Sequence, residues 1–231
     1  MLPPRWLPQK SLPPYAYLPG KNPHPVRDPA GHSHHVEPIP VGAEVSRSSD
    51  AFLWGLDLFN HGYYWEAHEA WEGLWQVADR DGPLRMLFKG LILLSAAGVK
   101  IRERKNAAAA RHAKRAAALF RRVPASAFER ALGMSPAALA ECAEAAIRIP
   151  ADLQATAPGQ PQPVFNFILG PSSRGSPSGS QKRNGYLEVP LRIRHRHSVR
   201  GHRLRFSPCD PSGVASLRRR VRNPNLNPTA S

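Results

Sequence analysis

The chain has 231 residues, is 42% hydrophobic and carries a formal charge of +15, so it holds enough apolar material for one core of ordinary domain size. Two cysteines, Cys142 and Cys209, exclude a disulfide framework and fit a reducing, cytoplasmic compartment. The apolar run Leu91 to Val99 falls far below the roughly 18 residues of a membrane span, and the segment after Met1 has no continuous apolar stretch of signal-peptide length, so no membrane partner is expected.

Charge and composition divide the chain. Residues 172–231 hold 13 Lys and Arg against 2 Asp and Glu, whereas residues 1–171 hold 19 against 15. Such a tail attracts any polyanion through counterion release without reading sequence, which argues against a specific nucleic-acid partner. Four regions follow: a Pro- and His-rich arm over 1–47, a helical domain over 48–150, a terminal strip packing on it over 151–171, and a basic tail over 172–231 whose scattered Arg, Pro and Ser predict disorder.

In the arm, proline density forbids helix interiors and predicts an extended, polyproline-like segment carrying Tyr15, Tyr17, His24, His32, His34 and His35. Ser48, Ser49 and Asp50 are N-cap candidates for a first helix to about Asn60, in which Phe52, Leu56 and Phe59 recur at helical spacing. A second helix spans about Tyr63 to Arg80 and stops at Asp81-Gly82-Pro83, with Pro83 placed to open the next. The third, about Leu84 to Arg104, is apolar nearly all round and should be central, with Gly90, Ala96, Ala97 and Gly98 admitting close neighbours. Asn106 is expected to cap a fourth helix to about Arg122. A short helix is expected over Ser126 to Leu132, and a last one begins with Ser135 as cap and Pro136 at its first position, running to about Ile149. Short connections make consecutive helices antiparallel neighbours, so the fold class is all-α, a small antiparallel bundle of five to six helices.

Helix two carries the chemistry. On a wheel of 100° per residue, Tyr64, Ala67, Trp71, Leu74, Trp75 and Ala78 form an apolar arc with Trp65 at its far edge. His68 and Glu72 fall inside that arc, Glu69 on its boundary, and Glu66 near the opposite face. An imidazole and a carboxylate one turn apart and partly buried need partners, because an unsatisfied buried polar group costs about 1–3 kcal/mol. One solution is a His68–Glu72 hydrogen bond within a structural polar network. Another is a metal centre, since helical bundles build carboxylate and histidine sites from this spacing. The ligand candidates are then His68, Glu69 and Glu72, with His24 or His32 from a folded-back arm, His61 or His112 completing the set; zinc, iron and manganese all suit such donors. A third is acid–base chemistry by Glu66, His68, Glu69 and Glu72, with burial preparing Glu72 as a proton acceptor. No phosphate loop, nucleophile elbow or spaced cysteine cluster is present, so nucleotide, esterase and zinc-finger classes lack support.

The stretch Phe59-Asn-His-Gly-Tyr-Tyr-Trp-Glu-Ala-His-Glu-Ala-Trp-Glu-Gly-Leu-Trp75 resembles the signature of the DUF309 family, small bacterial and plastid helical proteins of uncharacterised function. Lys89 to Ile92, Ala96 to Glu103 and Arg111 to Arg115 resemble its third and fourth helices. The arm segments Leu12 to Tyr15, Pro19-Gly20, Pro23 to Pro25 and Gly31 to Ser33 resemble an extension of some members, so the likeness covers about residues 12–171. It implies that Glu66, His68, Glu69, Glu72 and Trp75 are characteristic residues, and implies no reaction. The small and large residues Gly55, Leu58, Gly62, Tyr64, Ala67, Trp71 and Leu74 also follow tetratricopeptide spacing, which opens a second class: a module binding a protein partner, or a second copy of itself. Against it, solenoids need three or more repeats and no second hairpin follows at that period.

Overall fold

The computed structural model describes residues 3–36, 49–124, 132–148, 153 and 156–170. The expected helix over 126–132, apart from Leu132, and the tail over 172–231 lie outside the described residues. Five helices are described: α1 (Asp50–Asn60), α2 (Tyr64–Val77), α3 (Pro83–Arg102), α4 (Asn106–Phe120) and α5 (Pro136–Ala145). No strand occurs among the described residues.

Local chemistry accounts for most of the ends. Ser49 stands in an extended conformation before α1 and its hydroxyl accepts from Phe52 N at 3.3 Å; Ser135 does the same for α5, accepting from Ala138 N at 3.1 Å ahead of Pro136. Asn106 is the first residue of α4 and not its cap, which is Lys105 with no capping side chain. Two helices are shorter than the pattern predicts. Helix α2 ends at Val77, where Arg85 Nη1 donates to the carbonyls of Trp75 (2.8 Å) and Ala78 (3.0 Å), satisfying acceptors that a longer helix would have used. Helix α5 ends at Ala145, four residues before Ile149.

Each helix packs on its neighbour in chain order, α1 on α2, α2 on α3, α3 on α4 and α4 on α5. Helix α3 lies between α2 and α4, and from Leu87 to Ile101 only Lys89, Ala96 and Lys100 are not fully buried. Small residues set the spacing: a Cβ on Gly98 would stand 2.6 Å from Tyr64 Cγ, and one on Gly90 would stand 2.4 Å from the Phe120 ring. Trp71 is fully buried over Gly55, where a Cβ would meet its indole at 2.1 Å, and its Nε1 donates to Phe52 O at 3.4 Å. The α1–α2 turn passes through Gly62 at φ +84, a left-handed conformation that L side chains resist.

The arm and the strip both lie against this bundle. Between residues 3 and 36 the arm is a succession of tight turns, closed by bonds such as Lys21 N to Leu18 O and Gly31 N to Asp28 O, and not the polyproline-like extension that its composition predicts. Asp57 of α1, fully buried, anchors its start by accepting from Arg5 Nε (3.0 Å), Trp6 N (2.7 Å) and Leu7 N (2.9 Å). The strip is held by Asn60, whose amide exchanges two hydrogen bonds with the Leu169 backbone (2.6 and 2.9 Å). Tyr64 Oη accepts from Val164 N at 2.7 Å, and Phe165 stacks on Phe59 with ring centroids 5.1 Å apart. No described helix is long and apolar enough to cross a membrane.

Candidate functional site

Helix α2 presents polar groups on two sides, and the arm treats them differently. Glu66, placed on the outer face by the helical wheel, is only 6% exposed. The wheel registers burial by other helices and cannot register a cover made of turns: Tyr17 N donates to Glu66 Oε1 at 2.9 Å, and His32 Nε2 stands 3.2 Å from the same oxygen. Because a carboxylate only accepts, Nε2 carries the shared proton, and the Ser33 hydroxyl 2.8 Å from Nδ1 satisfies the other ring nitrogen. Glu66 Oε2 is buried without a hydrogen-bond partner. His32 therefore folds back onto α2, but onto Glu66 and not toward His68. His24 also returns, edge-on to Trp65 (5.3 Å) and tilted against Tyr17 (5.2 Å). Burial and Arg27 lower its pKa, with Glu69 opposing.

One turn on, His68, Glu69 and Glu72 form a half-exposed group. His68 Nδ1 lies 3.3 Å from Glu69 Oε1 and 3.9 Å from Glu72 Oε2, with side-chain exposures of 30%, 38% and 26%. The His68–Glu72 hydrogen bond of a purely structural network is not formed, 3.9 Å being too long. Nor is Glu69 aligned to accept, so Nδ1, itself shielded from solvent, has no hydrogen-bond partner. Among the described residues, this is the group of three His, Cys, Asp or Glu whose ligand atoms converge, all within 4.8 Å of one another.

Lys89 of α3 and Arg85 lie against Trp75 at 4.5 and 4.3 Å from the ring centroid. Burial pushes the Lys89 ammonium pKa down, with Glu72 opposing. His112 of α4 is half-buried with its Nδ1 unpartnered; burial first, then Arg115, Lys100, Arg111 and His68, keep its pKa below the ordinary imidazole value. It stands within electrostatic reach of His68 but outside the converging group. His61 instead closes α1, its Nδ1 donating to Asp57 O at 2.8 Å.

Residues 52–112, from α1 into α4, match the family model described as a domain of unknown function, DUF309. The match supports assigning that segment, α1 into α4, to DUF309. The match takes in all of α2 and ends at His112, so it contains both Glu66 and the His68 group, while the arm that seals Glu66 lies before it. No match was found among the curated proteins or the solved structures.

The pattern of α2 did not point to Asp57, which secures the arm. A signal existed: in Gly55-Leu-Asp-Leu-Phe59 it is the lone charge, flanked by apolar residues on every side. A carboxylate so placed is buried and must find donors elsewhere.

Proposed function

We propose that the His68, Glu69 and Glu72 face of this DUF309 domain is a divalent transition-metal site that leaves positions open to water or a substrate oxygen. The observation that carries the reading is His68 Nδ1, which is shielded and unpartnered although two carboxylates lie 3.3 and 3.9 Å away. Ligand atoms bound at about 2.0–2.2 Å around one ion stand about 3–3.5 Å apart, so a shift of about an ångström in two flexible glutamates completes the set. An imidazole and two carboxylates suit zinc, iron or manganese alike. Three ligands on one half-exposed helix face leave coordination open, as catalytic and not structural sites do, and a cation there polarises a bound oxygen. Without a metal, the same glutamates remain acid–base groups, Glu72 being the more shielded.

The full chain purified without chelators should carry about one equivalent of metal per chain, lost in His68→Ala and Glu72→Ala and kept in a His34→Ala/His35→Ala control, since those two adjacent, edge-to-face arm histidines are the obvious adventitious binders. Metal-free protein with no thermal shift on adding zinc, manganese or ferrous iron sinks the proposal, as does metal that survives His68→Ala.

The binding-module reading meets a specific obstacle. The residues of the α1–α2 hairpin that would hold a peptide backbone, Asp57, Asn60, Tyr64 and Glu66, already hold the chain's own arm and strip.

A further inference from the structure

A second concave site lies away from the His68 group, where the end of α3, the arm and the strip meet. It is a cleft of about 270 Å³ lined by Lys21 of the arm, Arg102 and Arg104 of the α3 terminus, and Thr156 and Gln162 of the strip, with Leu18 and Leu153 as an apolar wall. Among the described residues three cations line it and no carboxylate does. Glu103, the adjacent acid, is committed elsewhere: its two oxygens take Lys100 Nζ at 2.6 Å and Lys105 Nζ at 2.8 Å, which hold its pKa below the usual carboxylate range. Among the described residues Arg102 bonds neutral acceptors alone, Gly62 O at 3.4 Å and Gln160 O at 2.5 Å, and feels Glu66 through space. The side chains of Lys21 and Arg104 make no hydrogen bond or ion pair among the described residues.

Arg104 is informative in another way. Helix α3 ends in a Schellman turn, with Lys105 N donating to Lys100 O (2.9 Å) and Arg104 N to Ile101 O (2.8 Å). The left-handed position of that turn is normally glycine, yet here it holds arginine at φ +59. Glycine would serve the backbone better, so the side chain is where the position has its use.

We infer that this cleft binds a small phosphorylated molecule. Lys21, Arg102 and Arg104 take the phosphate by charge-assisted hydrogen bonds, the Thr156 hydroxyl adds a neutral donor, and Leu18 with Leu153 covers an apolar remainder. A phosphate monoester brings two negative charges to a cleft whose described lining offers none.

The test titrates the full chain with inorganic phosphate and with phenyl phosphate, following ³¹P NMR and calorimetry at physiological salt. Saturable binding at one site is expected, tighter for phenyl phosphate. Lys21→Ala with Arg104→Gly should weaken it by on the order of tenfold, two charge-assisted contacts being removed. Arg104→Gly alone should keep or raise the melting temperature in phosphate-free buffer while lowering affinity, which separates loss of a ligand contact from loss of fold. Absence of saturable binding at millimolar phosphate overturns the inference. So does binding that the double variant leaves unchanged, because the ion then resides on the basic tail. Neither result bears on metal at His68.

Discussion

Helix α2 carries two histidine–carboxylate pairs that differ in what surrounds them. Glu66 meets His32 beneath the arm, at 3.2 Å and with side-chain exposures of 5% and 8%, and also takes a backbone N–H. His68 meets Glu69 and Glu72 at longer range, the three side chains 26–38% exposed, with its nearer ring nitrogen left unbonded. In the first pair the proton is committed and the ring is satisfied at both nitrogens, only Glu66 Oε2 being unpartnered, and ordering the arm is what the pair accomplishes. The second is open, with acceptors gathered around a nitrogen that none of them pairs. Residue types are the same in both; the presence of a cover separates a fastening from a site.

The largest effects should come from the fastenings. Asp57→Ala leaves the Arg5 guanidinium and two backbone N–H groups without their acceptor, and a buried pair broken on one side costs about 3–5 kcal/mol. Chemical denaturation should register that loss, and limited proteolysis should cut the arm before the bundle. A loss below about 1 kcal/mol would mean that the arm is not fastened at Asp57. Glu66→Ala should follow at about 2–3 kcal/mol, since it frees Tyr17 N and the His32 ring. Glu66→Gln should recover part of it, because an amide oxygen still accepts from Tyr17 N. His68→Ala should barely move stability in chelated buffer, by about 0.5 kcal/mol or less, as for a surface substitution that breaks no bond. Equal destabilisation by Glu66→Ala and His68→Ala would erase the distinction between the two pairs.

How much of this the amino-acid sequence discloses depends on which forces are local. Helix existence, order and the serine caps at Ser49 and Ser135 are legible because periodicity and capping act within one turn. The shielding of His68 and Glu72 is legible for the same reason: both lie in the arc of Trp71 and Trp75. The partner of Glu66 is not, because it lies 34 residues away on a segment whose prolines advertise extension rather than the turns that bring it back. The left-handed backbone at Arg104 is invisible too: periodicity places the break between the third and fourth helices near Arg104 and Asn106, but an arginine gives no sign of positive φ, which the Schellman bonds from Arg104 and Lys105 reveal.

The smallest expected effect sharpens the comparison at His112, the histidine nearest to joining the open group. Its folded-state pKa is depressed, chiefly by burial and then by Arg115, Lys100, Arg111 and His68, whereas in the unfolded chain it returns to the ordinary value near 6.5. Above that value both states are neutral there and His112 adds no pH dependence. As pH falls through about 6.5 the unfolded chain takes a proton that the folded one refuses, so stability declines until the depressed folded pKa is passed, and then levels. Paired denaturation curves of the parent and His112→Gln, both with chelator, isolate this contribution from that of His24. The parent should lose stability relative to the variant as pH falls from 7.5 to about 5, with no difference in slope above 7.5. If the parent instead gained stability on acidification, His112 would be sharing a proton with the α2 carboxylates, and the open group would have four members.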